Sequence, residues 1–366
     1  MWNYEKLNAV HLELSSICNA SCPGCPRYLR NSTNVDPNLI QRSISFEDFS
    51  NWFKPDDLKK IKGWIICGTH GDPLACKDLL QIVEYICEYS PGKIQINTNA
   101  GLRTPKYFRE LGEIFVKAKG RDDFKRLSHI HREVVFSIDG LEDTNHRYRR
   151  NVVWNKVLQN LKAYVQTGAF AAWDYLQFAH NQHQIPEAKK LAESLHVDFR
   201  LKNPFGVDGS GMPVLDSEYN IIDVLNSVNT PDLQPYTPPE LDYVPIMNEP
   251  IHRSGCVDCN AFRDKGCEIY IDHQGKIQPC CFVGNKMYGF AVSPEAMEVR
   301  QIQDFMGNDN SLYHHSLKEI LDSGILSKYS DTWNAKPLNQ CWNVCGKNDN
   351  KNRDVDILFV KNEAVL

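Results

Sequence analysis

No stretch of this chain comes near the ~18 consecutive apolar residues that a membrane-spanning helix needs. The N-terminal Met1-Trp2-Asn3-Tyr4-Glu5-Lys6 also lacks a signal-peptide core. Both absences argue for a cytoplasmic protein and against a membrane one. Neither sign of charge dominates: 41 basic against 46 acidic residues give a net −5. A chain so balanced has no global basic field to make DNA or RNA its main partner. His129 with His131, and His180 with His183, lack the i, i+4 spacing of a helical ligand pair, so they are expected to be surface or internally satisfied residues. What the chain has in quantity is cysteine. Thirteen thiols in a reducing compartment argue for metal or cluster binding over disulfides, and the odd count agrees. At 366 residues, 42% hydrophobic and 24% charged, the chain is long enough for one large core and a smaller domain.

Three of the thiols stand at C-x3-C-x2-C spacing in Cys18-Asn19-Ala20-Ser21-Cys22-Pro23-Gly24-Cys25, directly after the extended run Ala9 to Ser16. The small and polar residues between them let the loop wrap tightly and turn backbone N–H groups toward sulfur. Three thiolates on one short loop can hold three irons of a [4Fe–4S] cube and leave the fourth iron open to an exogenous chelator. A zinc site without a nearby fourth ligand is the competing reading, although zinc more often uses paired C-x2-C units or C-x2-C with histidine. The loop, in its place after a first strand, resembles the signature of the radical S-adenosylmethionine (SAM) superfamily. Gly24 stands where many members carry an aromatic residue.

Further along, Ser45 reads as a helix N-cap with Asp48 at the capping-box position. Gly63 to Cys67 is a short apolar run suited to a buried parallel strand. It ends in Gly68-Thr69-His70-Gly71-Asp72-Pro73, which resembles the superfamily's "GGEP" motif with Asp72 in place of the glutamate. Taken alone, it is equally an ordinary turn after a strand. The resemblance implies that Gly71, Asp72 and Pro73 receive the amine of the methionine moiety. A helix over 77–89 leads to the strand Lys93 to Asn97, whose ending Thr98-Asn99-Ala100-Gly101 resembles the family's "TNG" and brings Asn99 to the cofactor. After a helix from Pro105, Glu133 to Gly140 ends in Ser-Ile-Asp-Gly. By the same resemblance Ser137 and Asp139 reach the ribose and methionine carboxylate, with Arg147 or Arg150 adding positive charge; a solvated helix face is the alternative for this arginine run. Strands are expected within 169–178 and 197–201, with a helix over 185–195 between them that starts at Pro186. Strands and helices in this alternation indicate a parallel α/β sheet. Six units match the family's open (β/α)6 partial TIM-like barrel, with ligands at the C-terminal strand ends. Cys67, Cys76 and Cys87 are read as buried structural thiols, Cys67 being the one near the barrel mouth.

Residues 229–250 are proline-rich and read as an extended linker. They divide a barrel over 1–228 from a cysteine-rich unit over 251–366. In that unit, Cys267 to Cys281 alternates like a hairpin turning at His273-Gln274-Gly275. The segment resembles the SPASM/twitch extension of radical SAM enzymes, with Gly275 and Cys280 at the matching positions. The shorter twitch form fits, because the late cysteines are only Cys341 and Cys345. It implies one auxiliary [4Fe–4S] cluster on Cys280, Cys341 and Cys345, with Cys259 or Cys267 as the upstream ligand; Cys256 and Cys281 are left without a role. Four of these thiols would also satisfy a structural zinc.

What the resemblance implies as a whole is an enzyme. A cluster on Cys18, Cys22 and Cys25 reductively cleaves SAM to a 5′-deoxyadenosyl radical that abstracts hydrogen from a substrate. The partners expected are a peptide or protein substrate and an external electron donor such as flavodoxin or ferredoxin. The alternatives are a small molecule or cofactor precursor as substrate, or a non-catalytic iron–sulfur or zinc protein.

Overall fold

The computed structural model describes residues 2–119, 132–204, 211–228, 256–288, 294–331, 333–334 and 336–347. The proline-rich stretch 229–250, His129 and His131 lie outside the described residues.

The first half of the chain alternates strand and helix, as its apolar rhythm predicts. In order it forms β1 (Leu7–Leu12), α1 (Phe46–Trp52), α2 (Pro55–Lys60), β2 (Gly63–Ile66), α3 (Leu79–Tyr89), β3 (Lys93–Thr98) and α4 (Pro105–Lys119). Then come β4 (Arg132–Ser137), α5 (Asn145–Tyr148), α6 (Trp154–Val165), β5 (Phe170–Leu176), α7 (Ile185–Ser194) and β6 (Asp198–Lys202). Local chemistry sets the boundaries. Ser45 caps α1 in a complete capping box with Asp48, and Pro186 sits in the first turn of α7, where a missing N–H costs nothing. In α3 the buried Leu79, Ile82, Val83 and Ile86 repeat at helical spacing and form the face laid on the sheet. All of β2 is buried, which accounts for its unbroken apolar sequence.

The six strands β1 to β6 pair in parallel in chain order. A second group follows: β7 (Met212–Leu215), β8 (Ile221–Leu225), β9 (Cys256–Val257), β10 (Cys267–Ile271), β11 (Ile277–Gln278), α8 (Cys281–Gly284), α9 (Pro294–Met306), α10 (Leu317–Asp322) and α11 (Asn339–Cys345). β10 and β11 form the expected hairpin, with Tyr270 opposite Gln278 and Gly275 in the turn at φ +73°. The hairpin joins the barrel rather than standing apart from it. β10 pairs in parallel with β1, from Leu7 opposite Cys267 to Leu12 opposite Ile271, so the sheet has eight strands in the order β11-β10-β1-β2-β3-β4-β5-β6. Apolar side chains of both halves, from Val10 and Trp64 to Ile269 and Leu326, belong to one core. The β7–β8 hairpin has no counterpart in the sequence reading. It lies beside the cysteine loop, where Asn31 Nδ2 donates to the Pro213 carbonyl at 3.2 Å. No helix among the described residues is long and apolar enough to cross a membrane.

Candidate active site

The C-terminal ends of β1 to β4 surround a cavity of about 290 Å³. Cys18, Cys22 and Cys25 line one side of it; Gly71, Asp72, Asn99 and Ser137 line the other. The cysteine loop is held in shape by its own backbone: Cys25 N–H donates to the Cys22 carbonyl at 3.2 Å and Tyr28 N–H to the Cys25 carbonyl at 3.1 Å. Gly24 takes φ +75°, a conformation that favours glycine over residues with a Cβ. A Cβ there would also meet the Met212 methyl at 2.9 Å, a contact the flexible end of that side chain can relieve, so the positive φ is what favours glycine. Donors reach two of the sulfurs. Ala20 N–H stands 3.3 Å and Asn99 Nδ2 3.4 Å from Cys18 Sγ, and Arg149 Nη1 stands 3.8 Å from Cys22 Sγ. Burial pushes all three thiols up, Cys25 to about 12, so the thiolates need a positive partner to form at neutral pH. A bound metal supplies that charge and deprotonates the thiols outright.

The loop after β2 must pass very close to the one after β1. A Cβ on Gly71 would lie 2.1 Å from the Ser15 carbonyl oxygen, so only glycine fits. Asp72 follows, buried, and its carboxylate accepts from Leu74 N–H, Asn99 N–H and the Thr98 hydroxyl, each at 2.9–3.0 Å. Most of its acceptor capacity therefore ties the β2 loop to the end of β3. Pro73 begins the short turn behind it, away from the cavity lining.

The arginine run resolves into three different roles. Arg147 pairs with Asp223 at 2.7 Å near the surface, and Arg150 donates to the Leu215 carbonyl at 3.0 Å outside the cavity. Arg149 is the one that lines the cavity. α5 ends just before it, and its backbone leaves the helical region (φ −83°, ψ 62°), which turns this side chain inward. Its Nε donates to Asp139 Oδ2 at 2.5 Å, while Nη1 faces Cys22. Burial works against the Arg149 charge, but Asp139 and Cys22 hold it protonated. Asp139 itself is fully buried behind Arg149 and also accepts from Leu176 N–H at 2.6 Å. The sequence reading puts Arg147 or Arg150 beside the cofactor; the structure brings Arg149 to the cavity instead, because the short helix stops there.

Cys67 borders the same cavity, its thiol pushed up to about 12 by burial and by Glu13. Cys76 and Cys87 are core residues, as expected.

A second group of thiols forms at the other end of the chain. Cys259 follows β9, Cys280 caps α8, and Cys341 and Cys345 lie one turn apart on α11. Cys259 and Cys345 are hydrogen-bonded to each other, Cys280 senses Cys341 and Cys345, and Asn260 Nδ2 lies 3.8 Å from Cys345 Sγ. Burial and these neighbours raise the pKa values of Cys259, Cys280 and Cys341. Cys267 is elsewhere: it faces the Asn3 carbonyl at 3.6 Å and feels no other cysteine. Between the two upstream candidates, then, the fold brings Cys259 to the group and leaves Cys267 out. Cys256 is exposed, and Cys281 faces Glu268 and Cys67. Among the described residues no three of these sulfurs lie within 4.8 Å of one another. Thiolates on one zinc would be about 3.8 Å apart, from Zn–S bonds of about 2.3 Å in a tetrahedron.

No protein-family model matches the chain. A curated relative, the FeMo cofactor biosynthesis protein NifB of Methanocaldococcus jannaschii, is 27% identical over 117 residues. That match spans 31% of this chain and only 39% of the relative. Among solved structures, SuiB of Streptococcus suis bound to S-adenosylmethionine aligns over 88% of this chain and 68% of its own, at 16% identity and TM-score 0.50. SuiB bound to its precursor peptide SuiA aligns over 88% and 67%, at 14% identity and TM-score 0.50. An eight-stranded sheet with three cysteines on the loop after β1, aligned with SuiB over 88% of this chain, gives this chain the fold of SuiB.

Proposed function

We propose that this chain is a radical SAM enzyme acting on a peptide or protein. One observation carries the reading: three thiols on a single loop, two of them within reach of N–H donors, facing one cavity with the ends of β2, β3 and β4. Cys18, Cys22 and Cys25 would hold a [4Fe–4S] cluster, with SAM in the cavity beside it. When bound, these groups supply one-electron cleavage of the sulfonium to methionine and a 5′-deoxyadenosyl radical that takes a hydrogen atom from the substrate.

The chain's own residues do the rest. Ala20 N–H, Asn99 and Arg149 direct N–H groups at the sulfurs, which stabilises thiolate charge and tunes the potential. Asp72 fixes the loops after β2 and β3 relative to each other, and Gly71 lets the backbone come close enough to line the cavity. Ser137 offers a hydroxyl on the far wall, and the Asp139–Arg149 pair sets a fixed charge there. Cys259, Cys280, Cys341 and Cys345 would close around one auxiliary [4Fe–4S] cluster, leaving no iron free, as suits an electron relay. An external donor such as flavodoxin or ferredoxin would supply the electron. A peptide substrate is supported by the SuiB complex with its precursor peptide. The stretch similar to NifB favours the second reading, a cofactor precursor as substrate.

Anaerobic reconstitution with iron, sulfide, SAM and dithionite tests the proposal. Formation of 5′-deoxyadenosine is the expected result; its absence with both clusters intact would make the chain an electron carrier instead.

A further inference from the structure

Glu13 follows β1, His70 lies in the loop after β2, and His273 lies in the turn after β10. Parallel pairing of β10, β1 and β2 sets these three C-terminal ends side by side. Spacing along the chain does not reveal this, since each side chain comes from a different strand end. The Glu13 and His273 side chains are fully buried and that of His70 is 1% exposed. Glu13 Oε2 stands 3.4 Å from His70 Nδ1 and 3.1 Å from His273 Nδ1, and it accepts the Tyr270 hydroxyl at 2.7 Å. One ligand atom from each of the three residues lies within 4.8 Å of the other two, the only such trio among the described residues.

Nε2 of His70 and Nε2 of His273 are both buried and have no hydrogen-bond partner. Each sits on the ring edge opposite the Nδ1 that faces Glu13, so Nδ1 is the nitrogen placed to ligate an ion beside that carboxylate. Two imidazoles, a carboxylate and a neighbouring phenol are the borderline nitrogen and oxygen donors that zinc-type ions take. Donors held about 2.0–2.1 Å from one ion in a tetrahedron lie about 3.4 Å apart, close to the separations found here. We propose that Glu13, His70 and His273, with the Tyr270 oxygen beside them, bind one zinc-type divalent ion that pins the turn after β10 to the barrel mouth. Such an ion is redox-inert, neutralises the buried carboxylate and joins the C-terminal hairpin to the first two strands of the barrel. The proposal is independent of the radical chemistry above.

The test uses the full chain with its iron sites reconstituted anaerobically, supplied with one equivalent of Zn²⁺ and desalted. The expected result is about one zinc per chain and an X-ray absorption shell of nitrogen and oxygen at about 2.0 Å. His70→Gln and His273→Gln should each lose most of that zinc with iron content unchanged. A sulfur shell at about 2.3 Å, failure of the wild-type chain to retain zinc, or zinc unmoved by either substitution overturns the proposal. Should the variants fail to fold, the wild-type absorption shell decides alone.

Discussion

Cys18, Cys22 and Cys25 come from one loop and border a cavity, whereas Cys259, Cys280, Cys341 and Cys345 come from three separate segments that only folding brings together. The first group numbers three and faces open space; the second numbers four and is packed in among its own elements. The number of thiolates decides whether an iron corner is left for a second molecule, so the two groups are suited to different work. A local motif can afford to be short because its geometry is set by a few backbone bonds. A group assembled from distant segments depends instead on β10 joining the barrel sheet and on α11 presenting two thiols one turn apart.

The largest effect expected is at the first group. Cys18→Ala should lower 5′-deoxyadenosine formation by at least ~10³-fold, as losing a group required for the chemistry does. It should also remove about four of about eight irons. Cys280→Ala should lose a similar amount of iron yet keep the first cluster's spectrum. Cys259→Ala should behave like Cys280→Ala, while Cys267→Ala should leave iron content untouched. Iron counting with electron paramagnetic resonance on the four variants separates the groups, and equal iron loss in Cys267→Ala would undo the distinction drawn between the two upstream cysteines.

Arg149 offers a smaller and sharper test. Arg149→Ala leaves the buried Asp139 carboxylate without its countercharge, which should cost about 3–5 kcal/mol of stability. Asp139→Asn in the same chain should recover much of that loss. Arg150→Ala removes only a hydrogen bond to the Leu215 carbonyl and should cost about 1 kcal/mol. Urea midpoints measured side by side give the answer, and similar losses for the two arginines would contradict the inward placement of Arg149.

The smallest effect concerns the strand that links the two halves. Burial raises Glu268, on β10, to about 7. Between its ordinary range and pH 7 the folded chain therefore holds more protons than the unfolded one at this site. Stability contributed here is greatest in acid and falls as pH rises through that window. Glu268→Gln should stabilise the protein by about 1–2 kcal/mol at pH 8 and by much less at pH 4.5. Thermal melts at the two pH values measure the difference.

Much of the barrel was legible in the sequence because its signals are local. Apolar runs marked β2, β3 and β4, Ser45 with Asp48 marked the start of α1, and Pro186 marked the start of α7. The C-x3-C-x2-C loop was legible for the same reason. The β7–β8 hairpin went unseen because it is short and only half-buried, with no strong alternation. Arg147 or Arg150 was expected at the cavity and Arg149 is found there, because the choice depends on where a four-residue helix ends. His70 and His273 lie on different elements, so no spacing along the chain marks their meeting.

By itself, then, the sequence determined the parallel α/β alternation and the three-thiol loop, since hydrophobic period, capping residues and cysteine spacing act over a few neighbouring positions. Only the tertiary structure decided which distant residues meet. The parallel pairing of β10 with β1 fixes the Glu13–His70–His273 group, the choice of Cys259 over Cys267, and the sheet that carries both. Contacts between strand ends hundreds of residues apart are set by packing and register, and no local pattern encodes them.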